Sequence, residues 1–511
     1  MSAPISKAGP GSDDGSDGPK HSVESHHIAS HPGHGMDPEH RRVVEKRLKR
    51  KLDARCALFV LIYVMNYLDR NNIAAARLKG LQDDLKLNDT QYATCLSILY
   101  VGYILMQIPS NMLINRIQRP SLYIAGVMLL WGLISTLSGS VHNFSGMVAI
   151  RFFLGFVEAA FLPGTLLILS KWYTRQELTK RNAILFCGNL LSNAFSALVG
   201  AGVLSNMQGT LGHAAWRWLF WIEGSVTMLI AIFAAFILPD LPHNSRGFTE
   251  EERQVAQLRM IEDVGEADVD SEENDVFYGL RMAVKDIKIY LMVFTFIAYI
   301  IGLSFNAFFP TLTGTLGFGY VPTLLMSAPP WLFACIVSLI VAWHSDRTQE
   351  RFWHIAGPIA VGMVGFVISM STLNVAARYV ALFLQASSYA GYITFYSWIS
   401  SSFPRPPAKR AVAIAMINGF GQLGNVAGSY VWALKDNGYR KSYGIVLAMF
   451  GVTIIGSYAF RMILVDLNKK LEAGESAWET NRDVTERTAQ VEVMESTDEA
   501  LRMKRGFRYL L

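Results

Sequence analysis

Twelve stretches of about twenty mostly apolar residues, separated by polar connections, constrain this chain more than any other feature. They cover roughly residues 55–77, 91–112, 119–140, 146–170, 182–204 and 216–239, then 287–310, 322–344, 353–374, 378–402, 409–433 and 441–465. A hydrocarbon layer about 30 Å thick is crossed by about 20 apolar residues in a helix. The helix suits that setting because it satisfies every backbone polar group internally. Composition agrees: 51% of the 511 residues are hydrophobic and only 17% charged, against about a quarter charged in soluble domains. The expected fold is an all-α integral membrane protein with twelve transmembrane helices in two six-helix bundles.

The expected organisation is a disordered cytoplasmic tail (1–54), a first bundle (55–240), a cytoplasmic linker (241–286), a second bundle (287–466) and a cytoplasmic tail (467–511). Residues 1–40 are too polar for a leader's apolar region and read as disordered, and their histidines read as solvated. The linker is too charged to span, although its first part has helical periodicity. The basic run "RRVVEKRLKRKLDAR" (41–55) precedes the first apolar segment, which reads as a cytoplasmic membrane flank rather than a nucleic-acid patch. Basic residues also crowd alternate connections, at Arg116, Lys171, Arg347 and Lys409, placing both termini in the cytoplasm. Lys79, Lys86, Arg440 and Lys441 run against that bias. The sequons at Asn88 and Asn143 both fall outside and are candidate glycosylation sites. Cys56, Cys95, Cys187 and Cys335 lack metal-site spacing and read as packing residues.

Charges inside the apolar runs are the functional signal. "VMNYLDRNNIAAARL" places Asp69 and Arg70 deep in the first span. The fourth span holds Arg151 and Glu158, seven residues apart and so on one helical face. A charge at the bilayer centre costs about 2.5–3.5 kcal/mol on insertion scales, so such groups face the protein interior, pair or are neutralised. Two readings stay open from the residues: an architectural ion network including Arg151, or a proton relay at Asp69 and Glu158 beside an anion site at Arg70. Tyr100, Tyr103, Asn189, Asn193, Asn306, Tyr389, Tyr392, Asn418 and Gln422 are the candidate neutral hydrogen-bonders of the same site. Two inner connections, "NMLINRIQR" and "AWHSDRTQER", look like copies of one loop and supply Arg116, Asp346, Arg347 and Arg351 as candidate gating residues.

The stretches "YLDRNNIAAARLKGLQDDLKLNDTQY", "QIPSNMLI", "RFFLGFVEAAFLPG", "KWYTRQELTKRNA", "AWRWLFWIEG", "SDRTQER", "AMINGFGQLGN" and "GFRYLL" resemble the major facilitator superfamily. More narrowly, they resemble its anion:cation symporter family of fungal allantoate, nicotinate and pantothenate permeases. The resemblance covers nearly everything from about residue 55 and implies proton-coupled uptake of a small organic carboxylate by alternating access. It also implies proton coupling and anion binding for Asp69, Arg70 and Glu158. The first inner loop departs from the superfamily pattern G-x-x-x-D-R-x-G-R-R, with Asn111 and Asn115 at the glycine and aspartate places; the second keeps Asp346 and Arg347.

Other classes fit less well. Gly-Lys never occurs, so the phosphate loop of an ATP-driven pump is missing. His142, His213, His344 and His354 stand at helix ends or loops, so no enzyme, catalytic constellation, metal site or cofactor is expected. The expected partners are a carboxylate substrate, protons and lipid, with no nucleic acid, for a monomer in the plasma membrane. A proton-driven exporter and a non-transporting nutrient receptor remain alternatives, export being disfavoured because the fifth span lacks proline.

Overall fold

The computed structural model describes residues 37–114, 117–265, 276–403, 407–434, 438–480 and 508–511, and among them there is no strand. The first half holds α1 (Pro38–Arg77), α2 (Leu81–Asp84), α3 (Asp89–Ile114), α4 (Pro120–Ser138), α5 (Phe144–Glu158), α6 (Phe161–Trp172), α7 (Arg175–Asn206) and α8 (Ala215–Ile237). The connection contributes α9 (Glu250–Gly265) and α10 (Val276–Lys285). The second half holds α11 (Ile287–Leu303), α12 (Phe309–Gly314), α13 (Tyr320–Thr348), α14 (Phe352–Ser371), α15 (Val375–Ser387), α16 (Ala390–Ser402), α17 (Pro407–Gly421), α18 (Leu423–Val431) and α19 (Arg440–Thr480).

Eight helical segments among the described residues are long and apolar enough to cross a membrane. The other four expected spans differ for visible reasons. The first and second carry buried polar side chains, among them Asn66, Asp69, Arg70, Asn72, Gln107 and Ser110. The spans expected at 378–402 and 409–433 are divided into α15 and α16 and into α17 and α18. Two further spans are interrupted, the fourth after Glu158 and the seventh by a 3-10 turn at Ser304–Phe308. Pro163 explains the fourth-span break: it cannot donate to the carbonyl of Ala159, and its ring crowds that group.

The N-terminal expectation needs correcting. Residues 38–54 are not a loose tail but the opening turns of α1, which begins with Pro38 in its first turn and an Asp37 carboxylate accepting from His40 N. Their basic side chains meet the acidic α9. Arg41 forks onto Glu262 at 2.5 and 2.9 Å, Lys51 reaches Glu252 at 2.9 Å, and Arg259 bridges Glu45 and Glu177 at 3.2 and 2.5 Å. Burial pushes the Glu177 carboxyl up, but Lys49 and Arg259 outweigh it and hold the group below its ordinary value. At the other end, Tyr509 exchanges two hydrogen bonds with Asn468, at 2.8 and 3.0 Å, and the Leu511 carbonyl accepts from Arg351 N at 2.5 Å.

In the first half α4 packs on α8, α3 on α5, and α1 on α7 and α8; in the second α11 packs on α17 and α19, and α14 on α15. The halves meet through α7 against α13 and α3 against α18. Thr94 and Ser97 bond the Tyr430 hydroxyl at 3.1 and 3.3 Å, and Lys79 lies 3.8 Å from the Tyr320 ring centre. The backbones of α3 and α5 approach closely. A Cβ added at Gly155 would collide with the Leu99 carbonyl, and one at Gly102 with the carbonyl of Phe152. Small residues permit such contact in lipid, where packing rather than water exclusion holds helices together. Gly155→Ala is therefore expected to abolish recovery of monodisperse protein, whereas Gly126→Ala, with no atom within 4 Å of the new Cβ, leaves it unchanged. Fluorescence-detected size exclusion of the two variants checks this.

Candidate functional site

The four helix interruptions surround one cavity, with roughly 910 Å³ not filled by atoms. Irregular backbone at membrane depth is tolerated where it lines such a space. Of the residues expected from sequence, Arg70, Tyr100, Tyr103, Arg151, Asn189, Asn306, Tyr389, Tyr392, Asn418 and Gln422 all line it. Tyr63, Tyr67, Asn71 and Tyr396 line it as well. Tyr63, Tyr67 and Asn71 were missed, although their spacing with Arg70 marks one face of α1 and was a usable signal.

On the first-half wall, Arg70 Nε and Nη2 donate to Glu158 Oε2 at 3.0 and 2.7 Å. Glu158 is only 1% exposed, and its Oε1 has no hydrogen-bond partner among the described residues. The Arg70 guanidinium also lies 4.8, 5.6 and 5.3 Å from the ring centres of Tyr67, Tyr100 and Tyr103. The aromatic faces add attraction for the cation where water is scarce. Arg151, one face and two turns from Glu158, does not join the pair. Its Nε donates to the Cys95 carbonyl at 3.3 Å and its Nη1 to the Arg70 carbonyl at 3.1 Å. No carboxylate of the described residues stands within 4 Å of it. The cavity thus has one neutralised arginine and one that keeps its charge.

The opposite wall is neutral and connected. Tyr392 donates to Tyr396 at 3.4 Å, Tyr396 to Asn418 Oδ1 at 2.6 Å, Gln422 to the same oxygen at 3.3 Å, and Asn425 to Gln422 at 2.9 Å. Tyr389 instead ties α16 to α11 by donating to the Leu303 carbonyl at 3.0 Å. Asn193 lies in a smaller adjoining cavity and accepts from Asn71 Nδ2 at 2.7 Å.

Asp69 is elsewhere. Adjacent helical residues point about 100° apart, so Asp69 and Arg70 cannot share a face. Asp69 turns toward α4 and α8, where Ser135 Oγ and Thr227 Oγ1 donate to its two oxygens at 2.7 and 2.8 Å. Of the gating candidates, Arg351 pairs with Asp346 at 2.7 Å and Arg347 lies 5.6 Å from the Trp343 ring centre; Arg116 lies outside the described residues. Asn88 and Asn143 are exposed, and their Oδ1 atoms accept from Gln91 N and Gly146 N at 2.7 and 2.8 Å. Cys56, Cys95, Cys187 and Cys335 are all free and buried.

Residues 59–429 match the Major Facilitator Superfamily. The chain belongs to that family. It is 32% identical over 428 residues to the MFS-type transporter cnsO of Penicillium expansum, with 81% of each chain covered. It is 30% identical over 398 residues to a putative tartrate transporter of Agrobacterium vitis, covering 77% of this chain and 86% of that one. Among solved structures, a bacterial homolog to the human lysosomal transporter Spinster, inward-facing and occupied, matches with a TM-score of 0.59 at 15% identity, over 80% of this chain and 95% of that one. The proton:xylose symporter XylE matches at 0.61 and 15% identity, over 80% and 96%. These two likenesses are of fold. Family, relatives and eight candidate spans make the chain a multi-pass membrane protein and a secondary transporter of small molecules.

The buried pair makes a stability prediction. Removing one partner of a buried ion pair costs about 3–5 kcal/mol, whereas replacing both with apolar groups of similar volume is often neutral. Glu158→Ala should therefore lower the thermal midpoint sharply, and adding Arg70→Met should restore most of it. Thermal unfolding of the detergent-solubilised single and double variants measures the difference.

Proposed function

We propose that this member of the superfamily takes up a small organic carboxylate together with protons by alternating access. In this reading twelve spans form two six-helix bundles, both termini are cytoplasmic, and the monomer works in the plasma membrane. The observation that carries it is Arg70, which lines the cavity with its guanidinium paired to the buried Glu158, beside Arg151, whose charge no described carboxylate neutralises. The putative tartrate transporter among the relatives, itself named for a carboxylate, supports the substrate class. The motifs are similar to those of the anion:cation symporter branch, which fits allantoate-, nicotinate- or pantothenate-like solutes.

The mechanism follows from charge. While Glu158 is ionised it occupies both donating nitrogens of the Arg70 fork. A proton on Glu158 removes that competitor and leaves Arg70 and Arg151 facing an incoming carboxylate. The hydroxyl and amide row on the opposite wall then binds the rest of the solute and draws the halves together around it. With the termini inside, the contacts of Thr94 and Ser97 with Tyr430 lie on the outer side, so this conformation is the outward-closed one. One proton with one monoanion moves no net charge, and each pH unit then supplies about 1.4 kcal/mol. A second proton would add about 2.3 kcal/mol per 100 mV.

Uptake of labelled nicotinate, pantothenate, allantoate and tartrate into proteoliposomes tests the reading. Accumulation of one of them under an inward proton gradient, lost when the gradient is collapsed, is expected; binding without accumulation would point to a receptor and sink the uptake mechanism. Glu158→Gln should abolish accumulation by at least tenfold while sparing exchange of bound for free solute. Topology has its own test. Thr90→Ala and Ser145→Ala remove the two sequons without touching the asparagine caps, and each should remove one glycosidase-sensitive mobility shift from the protein expressed in a eukaryotic host.

A further inference from the structure

The acid of α8, Glu223, is used neither by the cavity nor by the Arg70–Glu158 pair. It stands in "AWRWLFWIEG", the middle of an apolar run, and is 3% exposed. Asn72 of α1 faces it with no exposure, and Asn72 Nδ2 donates to Glu223 Oε2. That leaves two polar atoms in the pair, Glu223 Oε1 and Asn72 Oδ1. Both are buried, and both lack a hydrogen-bond partner among the described residues.

With an ionised Glu223 the two leftover atoms are both acceptors, and neither has a donor. Buried polar groups are almost always satisfied, so such a coincidence calls for a physical cause. A single proton supplies it. On Oε1 it turns the acceptor into a donor toward Asn72 Oδ1, and the acid and amide close an eight-membered ring of two hydrogen bonds. One proton thus accounts for both orphaned atoms at once.

The surrounding charges agree. α8 packs on α1, α4 and α7. α4 contains no charged residue, and α7 contains none beyond Arg181 at its opposite end. On α1, Asp69 is the charge that acts on Glu223, and its oxygens are taken by Ser135 and Thr227. Arg70 points away, to Glu158, and Arg77 is paired with Asp89 at 2.9 Å. Arg217, at the start of α8, donates to the Gly139 and Val141 carbonyls. No cation therefore stands ready to neutralise a carboxylate at Glu223 among the described residues.

We propose that Asn72 and Glu223 form a proton-binding site in which Glu223 is a neutral carboxylic acid hydrogen-bonded on both oxygens to the Asn72 amide. The site lies between α1 and α8, apart from the cavity, and joins a helix that carries the candidate anion site to one that does not touch it. Its proton is structural to this conformation: losing it leaves two opposed acceptors and drives α8 away from α1. This assignment does not depend on which solute is carried, or on whether Glu158 couples its movement to protons.

Infrared difference spectroscopy of the full chain in lipid at neutral pH tests it directly. The wild type should show the carbonyl stretch of a protonated carboxylic acid, and Glu223→Gln should lose that band, while Asp69→Asn retains it. Glu223→Gln keeps the fold within reach, because a glutamine amide can make the same ring with Asn72 and carries no titratable proton. A second variant, Asn72→Leu, should leave the band present but shifted to the frequency of an acid without an amide partner. A band unaffected by Glu223→Gln would show that Glu223 is ionised and overturn the proposal. A band that does not move in Asn72→Leu would overturn the ring.

Discussion

A guanidinium and a carboxylate placed where water is scarce have few ways to exist, and the Arg70–Glu158 pair shows the arrangement the fold reaches. Each charge alone is costly in hydrocarbon. Brought together with three tyrosine faces around the cation, they form a polar patch within an apolar bundle. The same patch dictates much around it. α3 must approach α5 closely enough for Tyr100 and Tyr103 to reach Arg70, which is why Gly102 and Gly155 stand at the contact. α5 ends at Glu158 itself, where Pro163 forbids the next backbone bond.

The two halves contribute differently to the cavity. The first supplies the ions, and the second a chain of neutral hydroxyls and amides, from Tyr392 through Asn418 to Asn425. A neutral wall can rearrange its hydrogen bonds at little cost, whereas a buried ion pair cannot part without a proton or a competing ion. In the proposed cycle, the asymmetry puts the chemical decision in one half and leaves the other free to move over the solute. Away from the cavity, the acidic α9 is strapped to the basic start of α1 by Glu262 and Glu252 and to α7 by Arg259 with Glu177, whereas α10 packs on α17, so the connection holds to both halves.

Much of this was legible in the chain. Apolar runs of about twenty residues announced a helical membrane protein, because only the helix and the closed barrel satisfy the backbone in lipid. Buried charges and polar faces at helical spacing named ten of the residues that line the cavity, Arg70, Arg151 and Asn418 among them. Less legible was anything that depends on rotation about a helix axis or on a partner far along the chain. Asp69 and Arg70 read as parts of one site because they are neighbours, yet the helix turns them about 100° apart, one to Ser135 and the other to Glu158. Glu223 passed as an ordinary letter of a family motif, since its partner, Asn72, lies in another helix. The basic run at 41–55 passed as a flank because its acidic counterpart lies some two hundred residues later.

By itself, then, the sequence determined the all-helical membrane class, eight of the segments that can span, and the residue types that must be kept away from lipid, because hydropathy and helical period are local properties of the chain. Tertiary structure alone decided the pairings: Arg70 with Glu158, Asp69 with two hydroxyls, Asn72 with Glu223, and Arg151 with backbone carbonyls that leave its charge uncancelled. Which buried charge finds a partner depends on how helices distant in the chain are rotated against one another, and that rotation is set by packing across the whole bundle.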